Sequence, residues 1–292
     1  MLLLLAACGD KAVTAEAQQD PIPQPEPQSP SEDTLPYRRV VGDDWVSYRS
    51  KAELRNTNYF WWFPSGDVYE QVELVPDALF DQVVRIEFRE NHGTDGQAPQ
   101  LKKRFAPLDD MWYRWRMRFE PGWTTAGPDP AGHANSYKVA FWTWPENDGR
   151  GQLEISNTTQ YITGLGVMKD GAWQRYQEQL LPGSAPDFGR ITTEWSDGEW
   201  WEYVVHYRRT SPTSAHNEYW RRRLTRAGEI APGEWTYHGY AISGAPVPPV
   251  SAVQLGANKN KNNPVTMFIY WGPWEVVDGS RYSNPFKVPH GG

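Results

Sequence analysis

Arg85-Ile86-Glu87-Phe88-Arg89 places two guanidiniums and a carboxylate on alternate residues, so an extended chain projects all three from one face. A guanidinium fork donates two parallel hydrogen bonds to a planar carboxylate, which neutralises an acid group and makes a neighbouring C–H easier to deprotonate. The same three residues also suit a ladder of ion pairs on a solvated face, and both readings stand. His206 and Tyr207, with Tyr137 and His92, are the groups that would move a proton. Glu202 shares a strand face with His206 but lies four residues away, about 13 Å at ~3.3 Å each, so any partner of the imidazole must come from a neighbouring strand. Arg114, Arg116 and Arg118 alternate along one segment and, with Arg221 to Arg223, form either a basic strip for an anionic polymer or a set of surface ion pairs. Lys138, Trp142 and Trp144 share a phase, an arrangement in which indoles stack on the apolar faces of sugar rings and a polar side chain between them meets sugar hydroxyls. Trp200, Trp201, Trp220, Trp271 and Trp274 are further candidates, although any one of the 16 tryptophans is more readily explained as core.

Other chemistries find no support. There is no HExxH, cysteine pair or EF-hand spacing, no phosphate-cradling glycine loop and no Gly-x-Ser-x-Gly elbow. No metal ligand set and no cofactor are expected; loop residues Asp95, Asp148 and Asp278 leave calcium as an open option. A retaining glycosidase needs two carboxylates close together, and Glu154-Ile155-Ser156-Asn157 supplies one of them.

The elements that must position these groups are strands. Met111, Tyr113, Trp115, Met117 and Phe119 alternate with Trp112, Arg114, Arg116 and Arg118; Val84, Ile86 and Phe88 alternate with the Arg85 set; Trp201, Tyr203, Val205 and Tyr207 alternate with Glu202, Val204 and His206. Turn clusters separate such runs, and crossover helices of the length a doubly wound sheet requires are absent from the pattern. Gly171–Leu180 is the one segment that reads as a short helix. About ten strands in roughly 255 residues predict a single antiparallel β-sandwich, an all-β domain spanning 37–292. The chain has 292 residues, a net charge of −7, 14% aromatic residues and one cysteine, which excludes a coiled coil, a disulfide scaffold and general nucleic-acid binding.

Residues 9–36 carry Pro21, Pro23, Pro25, Pro27, Pro30 and Pro36 among Gln, Glu and Ser, a composition that leans to extended polyproline II and buries no core. Asp10, Glu16, Asp20, Glu26, Glu32 and Asp33 stand there against Lys11 alone, so most of the acidity belongs to this tether. The apolar run from Met1 ends in Leu5-Ala6-Ala7-Cys8, which resembles the lipobox of bacterial lipoproteins. The resemblance implies that residues 1–8 are a signal remnant, that Cys8 is lipidated, and that the protein is anchored to a bacterial membrane in the cell envelope or secreted.

A second resemblance concerns the body, over roughly residues 40–285. Gly198 to Tyr207, a turn and a Trp-led strand, is similar to the central strand of concanavalin-A-like jelly rolls, and Leu255-Gly256 followed by Met267 to Val277 is similar to their closing strands. Arg114–Trp123 resembles a strand and turn of jelly-roll polysaccharide lyases, and Arg85–Arg89 resembles the Arg-Ser/Thr-Glu-Leu/Val-Arg strand of jelly-roll alginate lyases. Those lyases use the arginines to hold a uronate carboxylate. Their Gln-Ile/Val-His and Tyr-x-Lys-x-Gly-x-Tyr strands have no counterpart here. The resemblance implies a jelly roll that binds a polysaccharide on a concave face and either cleaves polyuronates by β-elimination or only binds them. Arg85, Glu87, Arg89, His206 and Tyr207 would be catalytic, and Lys138, Trp142, Trp144, Arg114 and Arg116 would hold the glycan. A non-catalytic envelope scaffold that contacts protein is the alternative.

Overall fold

The computed structural model describes residues 35–56, 60–61, 71–89, 100–122, 136–143, 149–156, 159–169, 172–174, 177–184, 197–259 and 266–289. A compact unit runs from Pro36 to Gly292, separate from Met1–Leu35. In chain order its described elements are β1 (Arg39–Asp43), α1 (Lys51–Asn56), β2 (Phe60–Trp61), β3 (Val72–Asp77), β4 (Asp81–Phe88), β5 (Gln100–Leu108), β6 (Asp110–Phe119), β7 (Ser136–Thr143) and β8 (Gly149–Ser156). They continue with β9 (Thr159–Lys169), β10 (Ala172–Gln174), β11 (Gln177–Leu180), β12 (Trp200–Ser211), β13 (Ser214–Arg223), β14 (Thr225–Arg226), β15 (Glu229–Ile230), β16 (Thr236–Ser243), β17 (Val250–Lys259) and β18 (Met267–Asp278).

Two antiparallel sheets form the expected jelly-roll sandwich. One has nine strands in the order β11-β16-β13-β12-β6-β18-β4-β3, with β1 paired to the later part of β18. The other has seven, β10-β9-β8-β7-β17-β5-β2. The chain crosses between sheets repeatedly, so the last strand, β18, lies between β4 and β6, and β17 lies between β5 and β7.

The period-two pattern decides what each sheet buries. Met111, Tyr113, Trp115, Met117 and Phe119 are fully buried, as are Val84 and Ile86, and they meet Leu101, Ala140, Trp142, Val253 and Leu255 from the other sheet in one core. Trp142 packs against Trp115 at 6.5 Å and Tyr219 at 5.4 Å between ring centroids, and Trp115 stacks on Tyr203 at 5.2 Å. Trp271 and Trp274 both point inward although they are three positions apart, because the β6–β18 register shifts between them. The indole N–H of Trp45 donates to the Gly272 carbonyl inside that bulge at 2.8 Å.

Two local expectations are corrected. Gly171–Leu180 contains β10 and β11, not a helix. Lys169 pairs with Ala172, leaving Asp170-Gly171 between the two strands, a dipeptide that favours tight hairpins. The helix among the described residues is α1, whose amide of Glu53 donates to the Ser50 hydroxyl at 3.3 Å while the Glu53 carboxylate accepts from the Arg49 amide at 2.7 Å. Ser50-Lys51-Ala52-Glu53 has the spacing of a capping box.

Candidate functional site

Cross-strand register sorts the outward residues of the nine-stranded sheet into rows. One runs Glu73, Arg85, Tyr270, Arg118, Trp200 from β3 to β12. Beside it stand Arg116, Glu202 and Arg222, and then Glu275, Arg114, Val204, Trp220 and Tyr237. The next holds Val277, Trp112, His206 and Glu218. Charges on this face are largely matched within it. Arg85 is ion-paired with Glu73 across the strands and lies over the Phe268 ring at 4.6 Å; Arg89 pairs with Glu87 at 2.9 Å. The Arg85–Arg89 segment therefore forms the ladder of ion pairs, not a free carboxylate fork.

Arg114 bonds Glu275 and, at 2.9 Å, the Tyr37 hydroxyl; Glu202 accepts from Arg116 at 3.0 Å and from Arg222 at 2.8 and 2.6 Å. Burial alone would raise the Glu202 carboxyl, but the Arg116, Arg114 and Arg222 guanidiniums outweigh it and hold the group below its ordinary range.

His206 does find its partners on neighbouring strands. Nε2 faces Asp110 of β6 at 2.9 Å and Nδ1 faces Glu218 of β13 at 3.0 Å, while the ring stacks on Trp112 with centroids 4.0 Å apart and planes 3° from parallel. With a carboxylate at each nitrogen, both must donate, so the ring is an imidazolium; burial lowers its affinity for the proton, but the two acceptors overcome that and raise its pKa. A proton held this way is not available to a base, and His206 is 8% exposed. Arg85 and His206 are also far apart: three strand spacings of ~4.8 Å across, and about 20 Å along β12 from Trp200, which shares the Arg85 row. Tyr207 faces the core, fully buried, and donates to the Pro248 carbonyl at 3.0 Å. The five residues expected to be catalytic do not form one centre.

The expected sugar platform is likewise divided. Trp142 is a core residue with no exposed surface, and Trp201, Trp271 and Trp274 also face inward; Trp200 and Trp220 face outward yet are buried. Trp144, His92, Asp95, Asp148 and Cys8 lie outside the described residues. Asp278 is committed to its own turn, accepting from Ser280 N–H at 3.0 Å and the Ser280 hydroxyl at 2.6 Å. Among the described residues no group of three or more His, Cys, Asp or Glu could hold a metal.

Lys138 falls elsewhere than its spacing from Trp142 suggests. Ala140 pairs with Leu153 but Lys138 with Glu154, so β7 carries an extra residue, Val139, against β8. The bulge takes Lys138 out of phase with Ala140 and Trp142 and into a row with Asn258, Glu154 and Tyr161. The adjacent row, about 7 Å along the strands, runs Phe60, Lys102, Gln254, Phe141, Gln152 and Thr163. Lys102 and Gln254 alternate with inward Leu101, Val253 and Leu255 and so belong to the outer face of the seven-stranded sheet, yet they are only 1% and 5% exposed. The sequence offered no signal for Lys102 beyond its place in a strand; Tyr161 was obscured by the glycines of β9.

Solved structures with a similar arrangement include the PL-14 alginate lyase from Aplysia kurodai, 7% identical, which covers 75% of this chain and 90% of its own at a TM-score of 0.48. The cellulose induced protein Cip1 is 10% identical, covering 82% of this chain and 97% of its own at a TM-score of 0.48. The alginate lyase vAL-1 from Chlorella virus is 9% identical, covering 70% and 88% at a TM-score of 0.39. No family model and no curated protein matches the chain.

Proposed function

We propose that the protein binds an acidic polysaccharide along the outer face of the seven-stranded sheet and cleaves it there by β-elimination. The observation that carries the reading is Lys102, buried on the outside of a sandwich beside Gln254, one row from Lys138, Glu154 and Tyr161. An ammonium on a sheet's outer face is a group that meets the carboxylate of an acidic sugar by a charge-assisted hydrogen bond. For a uronate the balance is simple. The ammonium groups of Lys102 and Lys138 neutralise the carboxylate, and a base takes the C5 proton. The electron pair forms the C4–C5 double bond, and the C4–O4 bond breaks with a proton delivered to the leaving oxygen. Tyr161 is the residue of that row whose chemistry suits the acid–base role.

Isothermal titration of the full-length protein with a polyuronate and with a neutral glucan tests the reading. The polyuronate binds and the glucan does not, and Lys102→Met weakens binding about tenfold or more, with near-ultraviolet circular dichroism confirming the fold. Equal binding of the glucan, or of neither polymer, contradicts it. The same proposal places the protein in the cell envelope through a lipid on Cys8. Metabolic labelling with palmitate marks the wild type and not Cys8→Ser; a labelled variant contradicts the anchor.

A further inference from the structure

On the opposite side of the molecule, three guanidiniums meet two carboxylates. Arg116, Glu202 and Arg222 stand in one cross-strand row, and Arg114 and Glu275 in the next. Both oxygens of Glu202 are taken, Oε1 by Arg116 and Oε2 by the Nε and Nη2 of Arg222. Glu275 is taken by Arg114, which also donates to the Tyr37 phenol and lies 3.7 Å from Glu202 Oε1. That phenol is neutral, since burial pushes it up to about 12. Within this cluster of five, three guanidiniums face two carboxylates, a surplus of one positive charge.

An uncompensated charge in a half-buried place is unfavourable unless something answers it. The imbalance registers at Arg116, whose affinity for its proton is lowered first by burial and then by the charge of Arg114. The cluster is not sealed: the side chains of Arg116, Arg114 and Arg222 retain 16%, 19% and 28% of their surface. Beside Arg116 stands Gly272, where a side chain would press on the Phe80 ring at 3.0 Å and on Arg116 Cβ at 3.3 Å. Arg222, the most exposed of the three, lies over the Trp235 ring at 4.3 Å.

We propose that Arg116, Arg114 and Arg222 form an oxyanion site for one carboxylate or sulfate-ester group on the outer face of the nine-stranded sheet. Such a group supplies the missing negative charge and accepts charge-assisted hydrogen bonds from the planar guanidiniums. The site is on the other sheet from Lys102 and Lys138, so it stands or falls independently of the cleavage reaction.

Calorimetric titration of the full-length protein with sodium sulfate and, separately, sodium glucuronate at fixed ionic strength reads the site. One equivalent of at least one anion binds, and the stronger of the two names the source. Arg116→Met removes the surplus charge and weakens binding about tenfold or more, whereas Glu275→Gln doubles the surplus and tightens it. Arg222→Met, at the most exposed of the three, reads the same loss if the Arg116 variant does not fold. No binding of either anion, unchanged binding in the folded arginine variant, or weaker binding in Glu275→Gln overturns the site.

Discussion

His206 shows how a residue with catalytic chemistry is turned to structural use. Its imidazolium is clasped between Asp110 and Glu218 and stacked on Trp112, an arrangement that favours the charged ring on three sides. The folded-state pKa lies above the ordinary 6.5, so the clasp contributes its full stability below about pH 6.5 and loses it as pH rises through the folded value. Thermal melts should show wild type losing more stability than His206→Gln on going from pH 6 toward alkaline pH. Parallel curves would show that the imidazole is neutral in the fold. Trp142 and Arg85 give a contrast in magnitude. Trp142→Ala empties a site in the middle of the core and is expected to cost about 3–5 kcal/mol. Arg85→Ala removes a half-exposed pair with Glu73 and is expected to cost no more than ~1 kcal/mol. Chemical denaturation separates them.

At the scale of elements, alternation and its interruptions account for what the sequence could and could not disclose. The strands around Val84–Arg89, Met111–Phe119 and Trp201–Tyr207 were legible because long apolar residues recur at every second position and nothing breaks the phase. Lys138 was assigned to the wrong face because a bulge leaves no mark in the residue types: Val139 is as ordinary in a strand as its neighbours. Cross-strand partnerships were equally hidden, since they depend on which strands become neighbours. That His206 needs partners from adjacent strands followed from distance alone; that they are two acids, and that they trap its proton, did not. Helix α1 had a readable start at Ser50 and Glu53, but six residues are too few for periodicity to show. Turns are testable at this scale. Gly198 has φ +84° and a Cβ there would lie 2.7 Å from Pro121 Cγ, whereas Gly228 has φ +79° with open space around it. Gly228→Ala should cost roughly 1–2 kcal/mol from backbone conformation alone, and Gly198→Ala measurably more, by denaturant titration.

The molecule as a whole divides its polar chemistry between two outer faces with different characters. The nine-stranded sheet pairs most of its acids and bases with each other, around Glu202, Glu275, His206 and Asp77, with one guanidinium charge in surplus, and its indoles are buried. The seven-stranded sheet carries Lys102 and Gln254 next to the Lys138, Glu154 and Tyr161 row. The jelly roll makes this division possible because successive strands cross between sheets, so residues near in sequence are delivered to opposite sides. Cleavage followed as ultraviolet absorbance of unsaturated uronides tests the assignment most directly. Wild-type protein should release them from a polyuronate, and both Tyr161→Phe and Lys138→Met should abolish release while melting within a few degrees of wild type. Undiminished release by both variants would place the chemistry somewhere other than this face.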